Sequence, residues 1–130
     1  MFIQIIQGTC TRQQELHEHL DTWRNELSSG APGWLGGTYG FTDDDVFVGV
    51  VRFDSRESAM ALSGSAEQSA WWAETERLFD GPVEFHDCDN VMLMLDGGSD
   101  DAGFVQVIRG KTDDPARLAA DLQSMTTMLH

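Results

Sequence analysis

Histidine side chains offer the clearest opening for chemistry in this sequence, because an imidazole takes up and releases protons near neutral pH. His86 lies in a predicted strand, beside Phe85 and two residues before Cys88. If its ring faces a pocket, it suits a general base. If it faces outward, it is a hydrogen-bonded histidine at a sheet edge. The sequence leaves both interpretations open.

The helix histidines and the two cysteines give weaker evidence for a catalytic site. His17 and His19 lie on the polar side of a predicted helix, two residues apart and off a common face, so we expect both to be solvated. Cys10 and Cys88 lack a basic neighbour and a C-x-x-C spacing, which argues against a nucleophilic cysteine and a disulfide framework. Reduced thiols, together with a start that lacks a signal peptide, predict a cytoplasmic protein.

The composition is strongly acidic, with 22 Asp and Glu against 8 Lys and Arg and a formal net charge of −14 in 130 residues. This charge repels nucleic acid and anionic membranes, so we expect neither as a partner. The acidic clusters Asp43–Asp45 and Asp100–Asp101 lack the spacing of a calcium loop, so no metal site is predicted. The sequence also lacks a phosphate-binding glycine motif, and we expect no cofactor.

A hairpin is the strongest structural element among those that must position these residues. Its two strands, Trp34 to Phe41 and Val46 to Phe53, flank the polar turn Thr42 to Asp45. The second strand has apolar side chains on both faces, so neither face is left for water. The hairpin must therefore be covered on both sides.

The elements before the hairpin are a strand and an amphipathic helix. The strand runs from Phe2 to Gln7, and the helix begins at an N-cap residue, Thr11, with Gln14 completing a capping box. The spacing of apolar residues predicts one apolar side on this helix, formed by Leu16, Leu20, Trp23 and Leu27.

A second helical segment and a last strand follow the hairpin. The segment is capped by Asp54, is interrupted, and resumes after Ser65 to end near Phe79. A long strand, Val83 to Leu95, comes next, with a bulge expected near Asp87–Asn90.

This order of elements predicts an α+β, ferredoxin-like βαββαβ fold with a four-stranded antiparallel sheet and both helices on one face. The predicted strand segments Phe2–Ile6, Phe47–Val51 and Val91–Leu95 are apolar on both faces, so the face without helices would expose a large apolar patch on a monomer. We therefore predict sheet-to-sheet association, either in a homodimer or against a tandem repeat.

An internal repeat follows. Phe104 to Gly110 copies Phe2 to Gly8 nearly residue for residue, and Asp114-Pro115 then begins a second copy of the helix. We predict one complete repeat at residues 1–96, a linker at 97–102, and a partial second repeat at 103–130. Its strand and helix should be ordered by the complete repeat, in the same chain or by exchange between two chains.

The chain resembles the dimeric α/β-barrel superfamily, to which the antibiotic-biosynthesis monooxygenase (ABM-like) domains belong. The resemblance lies in the element order, in the segment Pro32 to Gly37 that leads into the hairpin, in Arg52 to Ser55 before the second helix, and in Trp72 near that helix's end. Members of the superfamily include cofactor-independent monooxygenases, haem-degrading enzymes and proteins without known activity, so fold does not settle function.

The resemblance implies a small-molecule pocket between the helices and the sheet. Gln7 falls where the haem-degrading members have an asparagine, and Trp72 or Trp71 falls where they have a tryptophan. The iron-binding histidine of those members is missing, which disfavours haem degradation.

Two functions stay open. The first is a cofactor-independent monooxygenase or small-molecule-binding protein acting on an aromatic or polyketide-like substrate, with His86 as the catalytic base. Its pocket would use Gln7, Trp34, Tyr39 and Trp72. The second is a non-catalytic barrel module for ligand binding or association, in which the tryptophans are core residues.

Overall fold

The computed structural model describes residues 1–93, 101 and 103–129, which divide into two compact units, Met1–Val91 and Met92–His130. The strands and helices of the first unit are β1 (Phe2–Thr9), α1 (Gln13–Thr22), β2 (Trp34–Phe41), β3 (Val46–Phe53), α2 (Arg56–Ser63), α3 (Ala66–Glu76) and β4 (Glu84–Cys88). A π-helical turn, Trp23–Leu27, and a 3-10 turn, Ser28–Gly30, continue α1. The second unit contains α4 (Pro115–Leu129). None of the helices in the described ranges combines the length and apolarity needed to cross a bilayer.

The four strands form one antiparallel sheet in the order β2-β3-β1-β4. This is the predicted ferredoxin-like arrangement, in which the first and third strands are central and the hairpin and the last strand supply the edges. The predicted bounds of the hairpin strands are confirmed. Asp45, at the end of the turn between them, has a φ of 65°.

The helices of the first unit pack on one face of the sheet. Alternation along the strands places Phe2, Phe47 and Phe53 on that face, and all three are buried. Two core clusters result, one of Cys10, Leu16, Phe47 and Phe79 and the other of Phe2, Phe53 and Ala59. Burial stabilises the fold by roughly 1.5–3 kcal/mol for each phenylalanine.

The opposite face, which we call the helix-free face, is also apolar. The register aligns Ile3 with Arg52, Ile5 with Val50, and Thr9 with Val46, and Val48 lies between the two valines on the same side. This confirms for β1 and β3 the prediction that the strands are apolar on both faces. Of the third predicted stretch, Val91–Leu95, residues 91–93 form no strand and the rest lies outside the described residues.

Two of the predicted helix caps are wrong. α1 begins after Arg12 without a side-chain cap, and Thr11 instead donates from its backbone N–H and its hydroxyl to Asp80 Oδ2, at 2.7 and 2.9 Å. α2 is capped by Ser55, one residue after Asp54, through a hydrogen bond from the Ser58 N–H. The predicted cap at Ser65 is confirmed, because its hydroxyl accepts from the Gln68 N–H at 3.2 Å.

Gly33 makes the approach to the hairpin possible. Its φ is +87°, a conformation that side chains rarely adopt, and its carbonyl accepts from the Asp54 N–H at 2.8 Å. A Cβ atom at this position would lie 2.3 Å from Ser58 Oγ and 2.4 Å from Asp54 Oδ1. Only glycine lets the start of the hairpin lie this close to the start of α2.

The end of the first unit differs from the prediction. β4 stops at Cys88, whereas a strand to Leu95 was predicted, and residues 94 and 95 lie outside the described residues. α3 likewise stops at Glu76, and Leu78 and Phe79 lie in the turn after it. The register irregularity falls in β2, between Trp34 and Gly36, and not near Asp87.

The second unit forms the predicted helix but not a strand. Asp114 Oδ1 accepts from the Arg117 N–H at 3.1 Å and Pro115 occupies the first turn, as predicted. Residues 104–110 form no strand, and Phe104 and Ile108 are 82% and 84% exposed. Of the predicted linker at residues 97–102, all but Asp101 lies outside the described residues, as does His130. The partial second repeat stays a prediction.

Candidate functional site

The predicted site residues lie on two different faces of the sheet. Tyr39 and Trp34 pair with Gly49 and Phe53 on the helix side. Gln7 pairs with Val48, and His86 pairs with Ile5, both on the helix-free face. A side chain on a strand changes face with every residue, so one chain cannot bring these four residues into a single helix-side pocket.

His86 lies on the edge strand β4. Its Nε2 atom is 3.6 Å from Glu84 Oε2 and has no hydrogen-bond partner among the described residues, although the atom itself is shielded from solvent. The side chain as a whole is 39% exposed. The ring therefore lies at a sheet edge and on the face away from the helices, but among the described residues its Nε2 lacks the hydrogen bond that the sheet-edge interpretation included.

The tryptophans mainly build the core and its rim. Trp34 packs edge-on against Trp23, with ring centroids 5.0 Å apart. Trp72 meets Phe85 at 5.0 Å, and its Nε1 donates to Glu76 Oε1 at 2.7 Å. These contacts occupy both rings, which agrees with the interpretation of the tryptophans as packing residues.

His19 is not solvated, contrary to prediction. Its ring stacks on Trp71 with centroids 4.8 Å apart, and its Nε2 lies 2.8 Å from Thr75 Oγ1. Thr75 donates its one hydroxyl hydrogen to the Trp71 carbonyl at 2.8 Å, so His19 Nε2 is the donor to Thr75. Thr75 is 1% exposed, and this histidine therefore satisfies a buried hydroxyl.

An open groove of about 470 Å³ lies between α1 and the edge strand β2. It is lined by Gln13, Gln14, His17, Tyr39, Gly40 and Phe41. Phe41 supplies an apolar wall, and Tyr39 is the predicted pocket residue that the structure places here. An aromatic wall and a few polar groups are features of a small-molecule site, and the open side of this groove leaves part of a bound ligand in contact with solvent.

A chain of polar contacts runs from Tyr39 into α1. The Tyr39 hydroxyl is hydrogen-bonded to His17 Nδ1, and His17 Nε2 lies within ion-pair distance of Asp21 Oδ2, at 3.3 Å. Asp21 is also paired with Arg24, with 3.4 Å between Oδ1 and Nη2. A carboxylate this close to Nε2 favours the tautomer with the hydrogen on Nε2, in which the Tyr39 O–H donates to Nδ1.

Burial raises the pKa of Tyr39 above its ordinary value, and the negative charge of Asp21 raises it further, while Arg24 opposes the shift. Tyr39 is therefore a neutral hydroxyl at physiological pH. Its hydrogen is donated to His17, and the lone pairs of its oxygen can accept a hydrogen bond from a ligand in the groove.

His17 and Asp21 were not among the predicted site residues. Their spacing could have indicated them, because residues four apart lie on the same side of a helix and Gln13, His17 and Asp21 follow one another at that spacing. The link to Tyr39 spans 22 residues and depends on how α1 lies across the sheet, which a single sequence does not specify.

In the parts of the chain that the structure describes, no group of three or more His, Cys, Asp or Glu side chains is placed to hold a metal ion. Cys10 and Cys88 are free thiols. Cys10 is fully buried and its Sγ donates to the Leu78 carbonyl at 3.3 Å, and burial raises the pKa of this thiol. Cys10 is thus a core residue and not a nucleophile.

Solved structures with the same fold include several monooxygenases. An antibiotic-biosynthesis monooxygenase candidate from Caulobacter crescentus matches with a TM-score of 0.61 and 13% identity, over 70% of this chain and 90% of that one. A second candidate, from Bordetella bronchiseptica, matches at 0.58 and 20%, over 70% and 98%. The ActVA-Orf6 monooxygenase of Streptomyces coelicolor, in complex with the ligand nanaomycin D, matches at 0.57 and 18%, over 72% and 90%.

No protein-family model matches the sequence, and no curated protein matches it either. The structural likeness nevertheless identifies the fold: about 70% of the chain has the same α+β fold as these antibiotic-biosynthesis monooxygenase (ABM) structures, as predicted from the sequence. At these identities the likeness concerns the fold alone.

Proposed function

We propose that this protein binds a small aromatic or polyketide-like molecule in the groove between α1 and β2, and that it oxygenates this molecule without a cofactor. The observation that carries the proposal is the groove itself, in which Tyr39 presents a neutral hydroxyl beside the aromatic wall of Phe41. The shared fold with a monooxygenase that holds the aromatic ligand nanaomycin D supports it.

The chemistry fits such a site. An electron-rich phenol reduces oxygen once it is deprotonated, so the protein has to bind it, orient it and stabilise its anion. In a dihydroxyanthrone, for example, a ring methylene becomes a carbonyl. One oxygen atom of O₂ enters the product, and the other leaves as water with the two methylene hydrogens.

A second candidate is a non-catalytic binding or association module. The packed interior favours it, because Phe47 meets Phe41 at 5.6 Å and Phe79 at 5.7 Å in edge-to-face geometry beneath the helices. In this case the groove binds a ligand, or the fold serves association, but no oxygen is consumed.

We also propose a homodimer in which two helix-free faces pack against each other. Ile3, Ile5, Val46, Val48 and Val50 form an apolar surface on that face. Burying it removes apolar area from water, which is the main driving force of association.

Dithranol, a dihydroxyanthrone, tests the function. Under anaerobic conditions we expect it to bind and to shift the backbone NMR signals of the groove residues. Gln14→Trp, at an exposed lining position, should fill the groove and abolish binding. Glu15→Trp adds the same ring on another side of α1 and should bind normally.

Incorporation of oxygen into the product distinguishes the proposed monooxygenase from the non-catalytic binding module. With isotopically labelled O₂, a monooxygenase should place one labelled atom in the anthraquinone product, at a rate lost in Gln14→Trp and kept in Glu15→Trp. Anaerobic binding without protein-dependent oxygen uptake would favour the binding module. Absence of binding, or binding that Gln14→Trp leaves unchanged, would contradict both roles for the groove.

A further inference from the structure

The geometry of the groove points to a specific proton acceptor. We propose that Tyr39, His17 and Asp21 form a proton relay that takes the hydroxyl proton of a neutral phenol bound in the groove. The inference rests on the proposed function, because it assigns a role to residues of the same site. It assigns Tyr39 as the residue that touches the substrate and His17 as the proton acceptor.

The direction of the relay follows from these polar contacts. Asp21 Oδ2 lies 3.3 Å from His17 Nε2, and a carboxylate beside that nitrogen favours the tautomer with the hydrogen on Nε2 and a lone pair on Nδ1. In this tautomer Tyr39 donates its hydrogen to Nδ1. The lone pairs of the tyrosine oxygen are then the first acceptor that a ligand hydroxyl meets in the groove.

The proton balance needs no further reagent. The substrate O–H bond breaks and its hydrogen forms a new O–H bond at Tyr39, while the original tyrosine hydrogen passes to His17 Nδ1. The products are a substrate phenolate and an imidazolium. Asp21 stabilises the imidazolium at 3.3 Å, as a carboxylate stabilises the histidine of a catalytic triad.

The lining of the groove selects neutral donors. Gln13 Nε2 donates to Asp45 Oδ1 at 2.9 Å, and Gln14 Nε2 donates to Glu18 Oε1 at 3.2 Å. Each amide nitrogen is held by a carboxylate through one of its two N–H groups, so the amide oxygen and the second N–H are left for a ligand. No lysine or arginine lines the groove. A neutral hydroxylated aromatic ring therefore fits better than a carboxylate or a phosphate.

The charged groups around His17 are mostly acidic. Asp21 and Glu18 lie on α1 and Asp45 lies in the hairpin turn, and Arg24 is paired with Asp21. These carboxylates surround the site at which the relay places a positive charge.

Para-nitrophenol provides a direct readout, because its phenolate absorbs visible light and its neutral form does not. In a pH series with the full-length protein, we expect bound probe to ionise at lower pH than free probe, with roughly a tenfold gain in the phenolate-to-phenol ratio at a given pH. His17→Gln, Asp21→Asn and Tyr39→Phe should each bind the probe without that gain. Tyr39→Phe keeps the ring contacts with Phe41 and Phe47.

Two controls test whether the gain depends on the position of the removed charge and on the ionisable proton of the probe. Glu15→Gln removes one negative charge from α1, as Asp21→Asn does, but on another side of the helix, and should keep the gain. Para-nitroanisole has no proton to lose and should bind without a pH-dependent spectrum.

The outcomes distinguish the two proposals. Binding in the groove with an unshifted spectrum, or a shift that survives His17→Gln, overturns the relay and leaves the binding function standing. No binding, or groove NMR signals that do not move, overturns the proposed function itself. A shift lost in all three relay variants and kept in Glu15→Gln supports both.

Discussion

Asp80 shows how one exposed carboxylate can join two connections of this fold. Its Oδ2 accepts from the backbone N–H and the hydroxyl of Thr11, and its own N–H donates to the Thr9 carbonyl at 2.9 Å. The loop after β1 is thereby tied to the turn after α3. The Thr11 N–H, and then its hydroxyl, hold the pKa of Asp80 below its ordinary value of 3.8.

This lowered pKa predicts a pH-dependent contribution to stability. The folded state binds the Asp80 proton less tightly than the unfolded state, so the stabilisation is full above pH 3.8 and is lost as pH falls through the folded pKa. We expect Asp80→Ala to lower the urea midpoint at neutral pH, and the difference from the wild type to shrink in acid below pH 3.8.

Asp43→Ala, at an exposed position in the hairpin turn, serves as the control and should show no such acid-dependent difference. If the difference in urea midpoint between Asp80→Ala and the wild type is the same at neutral pH and well below pH 3.8, the proposed contribution of the Asp80 carboxylate to stability is refuted.

At the scale of residues, only part of the candidate site in the groove could be predicted from the sequence. Tyr39 was predicted to line a ligand pocket; it lies at the groove between α1 and β2, because the hydrophobic pattern defined its strand and turn well, and its role in binding stays a prediction. His17 was predicted to be solvated, since a histidine on the polar side of a helix has no local signal of a partner. Its contact with Tyr39 is a tertiary one, fixed only by the packing of α1 on the sheet.

At the scale of elements, the hydrophobic pattern of the sequence predicted the existence of helices and strands well and their first and last residues less well. The hairpin bounds are correct because β-branched and aromatic runs flank a short polar turn. The caps at Thr11 and Asp54 are wrong because adjacent polar residues compete for the same role, and only the folded chain selects among them. Asp54 instead accepts from the Ser58 hydroxyl at 2.6 Å.

The segment Phe104 to Ile108 carries a prediction of its own. It copies the sequence of β1, yet Phe104 and Ile108 are more than four-fifths exposed and the segment forms no strand. Free apolar strand sequences invite pairing with another chain. We therefore expect these residues to gain a partner on assembly, as the partial second repeat predicts.

Amide hydrogen exchange checks this expectation. Residues 104–108 should be protected at protein concentrations where the chain associates and unprotected on dilution. The double variant Phe104→Asp, Ile108→Asp should remove the protection, while Lys111→Asp, which adds charge just beyond the segment, should keep it. Exchange that is fast at every concentration would show that the copy of β1 has no structural role.

At the scale of the whole molecule, the sheet has two apolar faces and the first unit's helices pack on one of them. Sequence patterning predicted this, but not which valine of β3 faces which way. The register now assigns Val48 to the helix-free face and Val51 to the helix side, where Val51 packs against the cluster of Phe2, Phe53 and Ala59.

These two valines are three residues apart on one strand and provide a matched test of the proposed dimer. Val51→Asp places a charge at a half-buried position against that core cluster and should lower the free energy of unfolding. Val48→Asp places the same charge on the helix-free face, where a folded monomer can hydrate it but a packed dimer cannot. We expect Val48→Asp to retain its circular dichroism spectrum and to sediment as a monomer, with the wild type sedimenting as a dimer. A wild-type monomer at high concentration, or a Val48→Asp variant that still dimerises, would mean that the helix-free face is not the surface through which two copies meet.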